Sequence, residues 1–196
     1  MKKNFVVYTF IIFILSSINI FAQRVVDSDK LEYNQKTQLY HYGNEKEPFT
    51  GIEKAYYEDK SLKYELPFKN GKFDGKAIEY YPSGKIESES FYVNGKLNGK
   101  SIEYYKNGNL KSDGNYKDGK RDGLTKTYFE DGTIRSEIYY KNGELDGLAK
   151  EYYGNGQVFI QENYKNGELD GESLNFYKDG KLKGRELYKN GKLIKN

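Results

Sequence analysis

From Gly51 onward, apolar and polar positions recur with a fixed period of 24 residues. Gly51, Gly75, Gly99, Gly123, Gly147 and Gly171 each open one unit and define position 1. Position 6 is Tyr56, Tyr80, Tyr104, Tyr128, Tyr152 and Phe176, and position 7 is Tyr57, Tyr81, Tyr105, Phe129, Tyr153 and Tyr177. Position 12 is aliphatic throughout (Leu62, Ile86, Leu110, Ile134, Val158, Leu182). Position 18 is aromatic throughout (Phe68, Tyr92, Tyr116, Tyr140, Tyr164, Tyr188). Position 23 is Phe73, Leu97, Arg121, Leu145, Leu169 and Leu193, with Arg121 the one polar member. Six units run in phase without insertion, which is the signature of a repeat architecture.

Two turn signals punctuate each unit. Positions 9–10 read Asn-Gly, Asp-Gly or Ser-Gly except at Asp59-Lys60, and positions 20–21 read Asn-Gly or Asp-Gly in every unit. Such pairs supply the positive φ of two-residue hairpin turns. The intervening segments are rich in Tyr, Ile, Leu and Val, which suits strands. Glycine about every ten residues opposes helix. The pattern predicts an all-β fold: an elongated antiparallel β-meander of six 24-residue β-hairpin repeats, two strands each. Twelve strands at ~4.8 Å would extend roughly 55 Å.

Two-residue turns would set position 7 opposite 12 and position 18 opposite 23. Paired residues share a face, so positions 7, 12, 18 and 23 are expected to form one apolar stripe. The glycine at position 1 would pair with the aromatic at 18, whose ring would cover it. Position 6 would then lie on the other face, near the mostly charged position 13 (Lys63, Glu87, Lys111, Arg135, Phe159, Lys183). Two tight turns per unit leave a register shift, which a bulge at the Asp-Gly step of positions 24 and 1 would absorb. An odd number of extra residues there would swap the faces of positions 6 and 7.

The segments before the array read differently. Met1–Ala22 has Lys2 and Lys3 ahead of an apolar run from Phe5 to Leu15 and ends on Ala22. That is the layout of a secretory signal peptide, and the run is short of the roughly 20 residues needed to span a bilayer. An exported chain is expected, periplasmic, surface-associated or secreted, touching membrane only through that signal. Residues 23–50 are expected to cap the first edge. Pro48-Phe49-Thr50-Gly51 resembles the Leu-Asp-Gly junctions, and Leu39–Tyr42 reads as a degenerate strand. Residues 51–196 are the repeats. Lys189, Lys192 and Lys195 charge the last edge strand, which discourages further pairing.

Composition narrows the function classes. The chain has 196 residues, no Cys and one His, so thiolate sites are excluded and His-based metal sites or triads are disfavoured. A mean hydropathy of −0.93 would suit disorder, but 21 Tyr do not. Fifteen of those Tyr fall at positions 6, 7 and 18, and 17 of the 21 Gly at positions 1, 10 and 21. Of 32 Lys and Arg, removal of Lys2 and Lys3 leaves 30 against 29 Asp and Glu. A near-neutral chain of interspersed signs has no footprint for nucleic acid.

The Gly-x-x-x-x-Tyr-Tyr-x-Asn-Gly-x-Leu core and Tyr-Lys-Asn-Gly-x-Leu-Asp-Gly close, as in Gly99–Gly108 and Tyr140–Gly147, resemble the variant MORN repeat. Chains built of it resemble the YwqK-type antitoxins. The resemblance implies an elongated β-array and a binding role, such as an antitoxin or immunity partner that neutralises a toxin. An export signal departs from what a cytoplasmic antitoxin needs.

Candidate chemistry is sparse. His41 has no second ligand near it in sequence and reads as structural. The Asp residues at positions 20 and 24 interchange with Asn and read as turn chemistry ahead of calcium ligation. Glu87 and Glu89 share a strand face and read as solvated surface. No cofactor or metal is expected, and no enzymatic activity. The candidate binding surface is the aromatic row Tyr56, Tyr80, Tyr104, Tyr128, Tyr152 and Phe176. Tyr supplies interface area at low entropy cost. A protein partner is the first expectation, with a cell-surface glycan or other envelope component as the alternative.

Overall fold

The computed structural model describes residues 24–195; the expected signal segment lies outside the described residues. Val25–Asp27 (β1) leads through a 3-10 turn at Ser28–Lys30 into Leu31–Asn34 (β2) and Leu39–Tyr42 (β3). Then Gly51–Tyr56 (β4) and Leu62–Lys69 (β5) begin a run of alternating strands that ends at Lys192–Lys195. One 16-stranded sheet holds them, each antiparallel to its sequence neighbours, so the expected meander is observed. The exception is its first edge, where β1 runs parallel to β4, with Val25 opposite Ile52.

The cap is more elaborate than a half-repeat. β2 and β3 pair only with each other, Leu31 opposite Tyr42, as a separate hairpin. The junction Phe49-Thr50 does behave as positions 23 and 24. Gly71 N–H donates to the Phe49 carbonyl at 2.7 Å, as Gly95 N–H does to Phe73 at 2.8 Å. Phe49, 1% exposed, packs with Val26 and Phe68, and Leu31, Tyr40, Tyr42, Leu66 and Phe73 close around them. This is the hydrophobic cluster of the described residues. Beyond it, stability rests on neighbour-to-neighbour contacts, as in other linear arrays.

The two turns differ in kind. At positions 20–21 both residues have positive φ, as in Asn94 (50°) and Gly95 (81°). That is the expected two-residue turn, type I′. At positions 9–10 only the second residue does, as in Gly84 (79°). There Gly84 N–H donates to the Tyr81 carbonyl and Tyr81 N–H to the Lys85 carbonyl, both at 2.8 Å. This is the three-residue connection, a turn followed by one left-handed residue. Position 9 is Asn or Asp except at Ser83, and its side chain accepts the N–H of position 11, as Asn107 does from Asn109 at 2.8 Å.

That longer turn corrects the expected faces. Tyr80 pairs with Ile86 and Glu79 with Ser88, so position 6 lies opposite 12, and position 13 is the extra residue of a bulge. Position 12 therefore leaves the stripe drawn with 7, 18 and 23 and joins position 6. Position 13 moves to the face of position 7, where the Arg135 guanidinium lies 5.9 Å from the Phe129 ring centre. The second bulge falls where it was expected. Tyr92 pairs with Leu97 and Ser90 with Ser101, which leaves two extra residues around Asn98-Gly99. An even insertion keeps the faces of the next strand in phase.

The position-1 glycine does pair with the position-18 aromatic, as Gly75 with Tyr92. Its reason for being glycine is different from ring cover. Gly147 has φ +117°, and a Cβ there would lie 3.1 Å from the Cβ of Tyr139, at position 17 of the preceding unit. The bulge needs the positive φ, and the neighbour needs the space.

Candidate functional site

One face of the sheet carries positions 2, 4, 6, 12, 15 and 17. Position 4 lies opposite 15 and position 2 opposite 17, as in Lys126 with Glu137 and Leu124 with Tyr139. Its charges neutralise one another except at Lys150, which lies opposite Gln161. Lys54 pairs with Glu65, Lys76 with Glu89, Lys100 with Asp113 (3.1 Å), Lys126 with Glu137 (2.8 Å) and Arg185 with Glu172.

The predicted row Tyr56, Tyr80, Tyr104, Tyr128, Tyr152 and Phe176 runs across this face. Tyr56 is half exposed, at 50%, and the others are half-buried. The row is partly tied down. Tyr152 Oη donates to Glu137 at 2.8 Å. Burial, then that bond, pushes its hydroxyl up to about 12, while Lys126 and Tyr152 hold the Glu137 carboxyl below its ordinary value. Burial also raises Tyr80. Two further aromatics stand beside the row, Phe91 (42% exposed) and Tyr139 (45%). Both are at position 17, which varies from Pro67 to Leu187, so a search for constant columns passes over it. The period and the pairing rule were enough to find them once the register was known.

The other face carries positions 3, 5, 7, 13, 14, 16, 18 and 23. Its middle is paved with small residues that bond laterally. Ser90 and Ser101 hydroxyls meet at 2.8 Å, and Thr127 and Ser136 at 2.7 Å. On one side stand the position-7 tyrosines. Each hydroxyl donates to the main-chain carbonyl of position 6 in the next unit: Tyr57 to Tyr80, Tyr81 to Tyr104, Tyr105 to Tyr128 and Tyr153 to Phe176, at 2.6–2.9 Å. On the other side stand positions 18 and 23. There Arg121 replaces the usual leucine and lies between two tyrosines. Its Nε donates to Tyr116 Oη at 3.2 Å and Nη1 to Tyr140 Oη at 3.4 Å.

The turn edges are laced by side chains. Asp74, Asp122 and Asp146, all at position 24, accept the N–H of position 20 one unit on, at 3.1–3.3 Å (Asn94, Asn142, Asn166). Thr50 does the same for Asn70 at 2.9 Å. These repeated Asp residues therefore have a turn-holding role. His41 lies in the cap, where its Nδ1–H donates to the Glu45 carbonyl at 3.3 Å.

The unit seen in pairing, turns and lateral bonds matches a known pattern. The model of the MORN repeat variant matches residues 49–70, 73–94, 97–118, 121–142, 145–166 and 169–190. The chain belongs to the MORN repeat variant family. The family's frame starts at Phe49 and steps by 24, so each MORN unit ends at the positive-φ Asn or Asp of the type I′ turn. A MORN array is a repeat protein of binding type, and both faces described here are laid out on its period. No match is found among curated proteins.

Proposed function

We propose that this MORN-repeat chain is an exported, non-enzymatic binding protein that grips a protein partner through the face of positions 2, 4, 6, 12, 15 and 17. One observation carries the reading: an aromatic row with a ring on every second strand, widened by exposed Phe91 and Tyr139, lies among Lys–carboxylate pairs that already satisfy one another. Such a surface offers large amphipathic contact area with little charge left to desolvate. The resemblance to YwqK-type antitoxins supports a toxin as the partner, and the signal-like Met1–Ala22 supports an envelope location, as for an immunity protein.

The test is recovery of a partner from envelope extract on immobilised protein, compared with a variant carrying Tyr80→Ser, Tyr104→Ser, Tyr128→Ser and Tyr152→Ser whose β content is checked by circular dichroism. A folded variant that captures as much as the wild type, or a wild type that captures nothing, overturns the reading. A partner lost with the tyrosines supports it.

A further inference from the structure

The face opposite the aromatic row holds a furrow whose charges are separated along its length. One part, about 390 Å³, is lined by Lys111, Arg121 and Arg135 with Glu103 and Glu151. The adjoining part, about 220 Å³, is lined by Glu79, Glu87, Glu103 and Lys111. The two share Glu103 and Lys111, and these neutralise each other at 3.0 Å. That leaves Arg121 and Arg135, with a single carboxylate, Glu151, at one end, and Glu79 and Glu87 at the other, without an ion-pair partner among the described residues. The carboxylates reach the aromatic wall: after burial, Glu87 and Glu79 raise the Tyr57 hydroxyl.

The cationic end is preset. Arg121 is the one departure from an apolar column, and two tyrosine hydroxyls flank its guanidinium, which lies 5.3 Å from the Tyr140 ring centre. Ordered, tyrosine-flanked guanidinium suits the planar oxygens of a carboxylate. Ser88, Ser90 and Ser101 floor the acidic part, small enough to admit a chain lying across the strands.

We propose that this furrow is a second binding site, separate from the aromatic row, and that it takes an extended peptide segment bearing one basic and one acidic side chain. The basic group sits against Glu79 and Glu87 and the acidic group against Arg121 and Arg135. Glu87 and Arg135 are two units apart, four strands or roughly 19 Å, which an extended chain covers in about six residues. This separation of opposite charges favours a peptide over an acidic polysaccharide, which would meet the carboxylate end with like charge.

The test is an amide NMR titration of the purified protein at low salt with a glycine-serine decapeptide carrying Lys and Asp six residues apart. Comparators carry two Lys or two Asp, and an oligogalacturonate serves as the glycan probe. The mixed-charge peptide is expected to shift Ser112, Thr127 and Ser136 and to bind at least tenfold more tightly than either like-charge peptide. Arg121→Leu, which restores the residue other units carry, and the double change Glu79→Gln, Glu87→Gln should each weaken it at least fivefold. The four-tyrosine variant of the opposite face should leave it unchanged. No shifts at millimolar peptide, equal binding of like-charge peptides, indifference to Arg121→Leu, or stronger binding of the oligogalacturonate overturns the proposal.

Discussion

The hydroxyl of Tyr105 donates a 2.8 Å hydrogen bond to the main-chain carbonyl of Tyr128. The bond joins each turn edge to the next, and it is missing at one place, because position 7 of the fourth unit is Phe129. Removing a half-buried bond of this kind costs about 0.5–1.5 kcal/mol. Tyr105→Phe is expected to destabilise by that amount, and Phe129→Tyr, which supplies the missing bond to the Tyr152 carbonyl, to stabilise by up to ~1 kcal/mol. Urea unfolding of the two variants checks both signs.

Lys60 holds φ 67° at the turn position where the other five units have glycine. A side chain in that region costs roughly 1 kcal/mol. Lys60→Gly should therefore raise stability by about that much, read as a higher denaturation midpoint at unchanged slope.

Gly123 and Gly147 separate two demands made on position 1. Both have positive φ, +99° and +117°, but a Cβ at Gly123 meets open space while one at Gly147 meets Tyr139 at 3.1 Å. Gly123→Ala should cost about 1–3 kcal/mol from backbone strain alone. Gly147→Ala should cost more, because the new methyl also meets the Tyr139 Cβ; the urea midpoints of the two variants give the difference.

Alkali should loosen the array through Tyr152. Its folded value, about 12, is above the ordinary 10.0. The contribution is thus fully present below pH 10 and is lost as pH rises toward 12. The stability difference between wild type and Tyr152→Phe is expected to shrink over that window. Chemical denaturation at pH 8, 10 and 11.5 would show it, and a difference constant with pH would contradict it.

Arg121→Leu is expected to be neutral to stability within about 0.5 kcal/mol, since its bonds are exposed and weak. A substitution that abolishes the furrow's ligand without moving the thermal midpoint would separate recognition from folding.

The fold was legible because glycine, Asx and tyrosine each recur at fixed offsets with a local physical cause. The faces were legible only in part. An Asn-Gly pair can close a two-residue turn or end a three-residue one, and the difference of one residue carried Ile86 and its equivalents to the side of Tyr80. The aromatic row was visible as a column. Its neighbours Phe91 and Tyr139, and the furrow's Glu79, were not, because they occupy columns whose identity changes from unit to unit. Arg121 was the exception that sequence did expose, as the one charged cell among leucines and a phenylalanine.

The parallel pairing of β1 with β4 has a mechanical consequence. In the meander, a load applied through the last strand pulls on one end of each hairpin, so its hydrogen bonds open one after another. Between β1 and β4 the same load runs along both strands in opposite directions and strains their bonds together. Under tension the chain should pay out unit by unit from Lys192–Lys195 and hold last at the cap. Loaded from that end, the chain would lengthen to a reach set by the number of units, and its last resistance would be set by three residues, Val25 to Asp27.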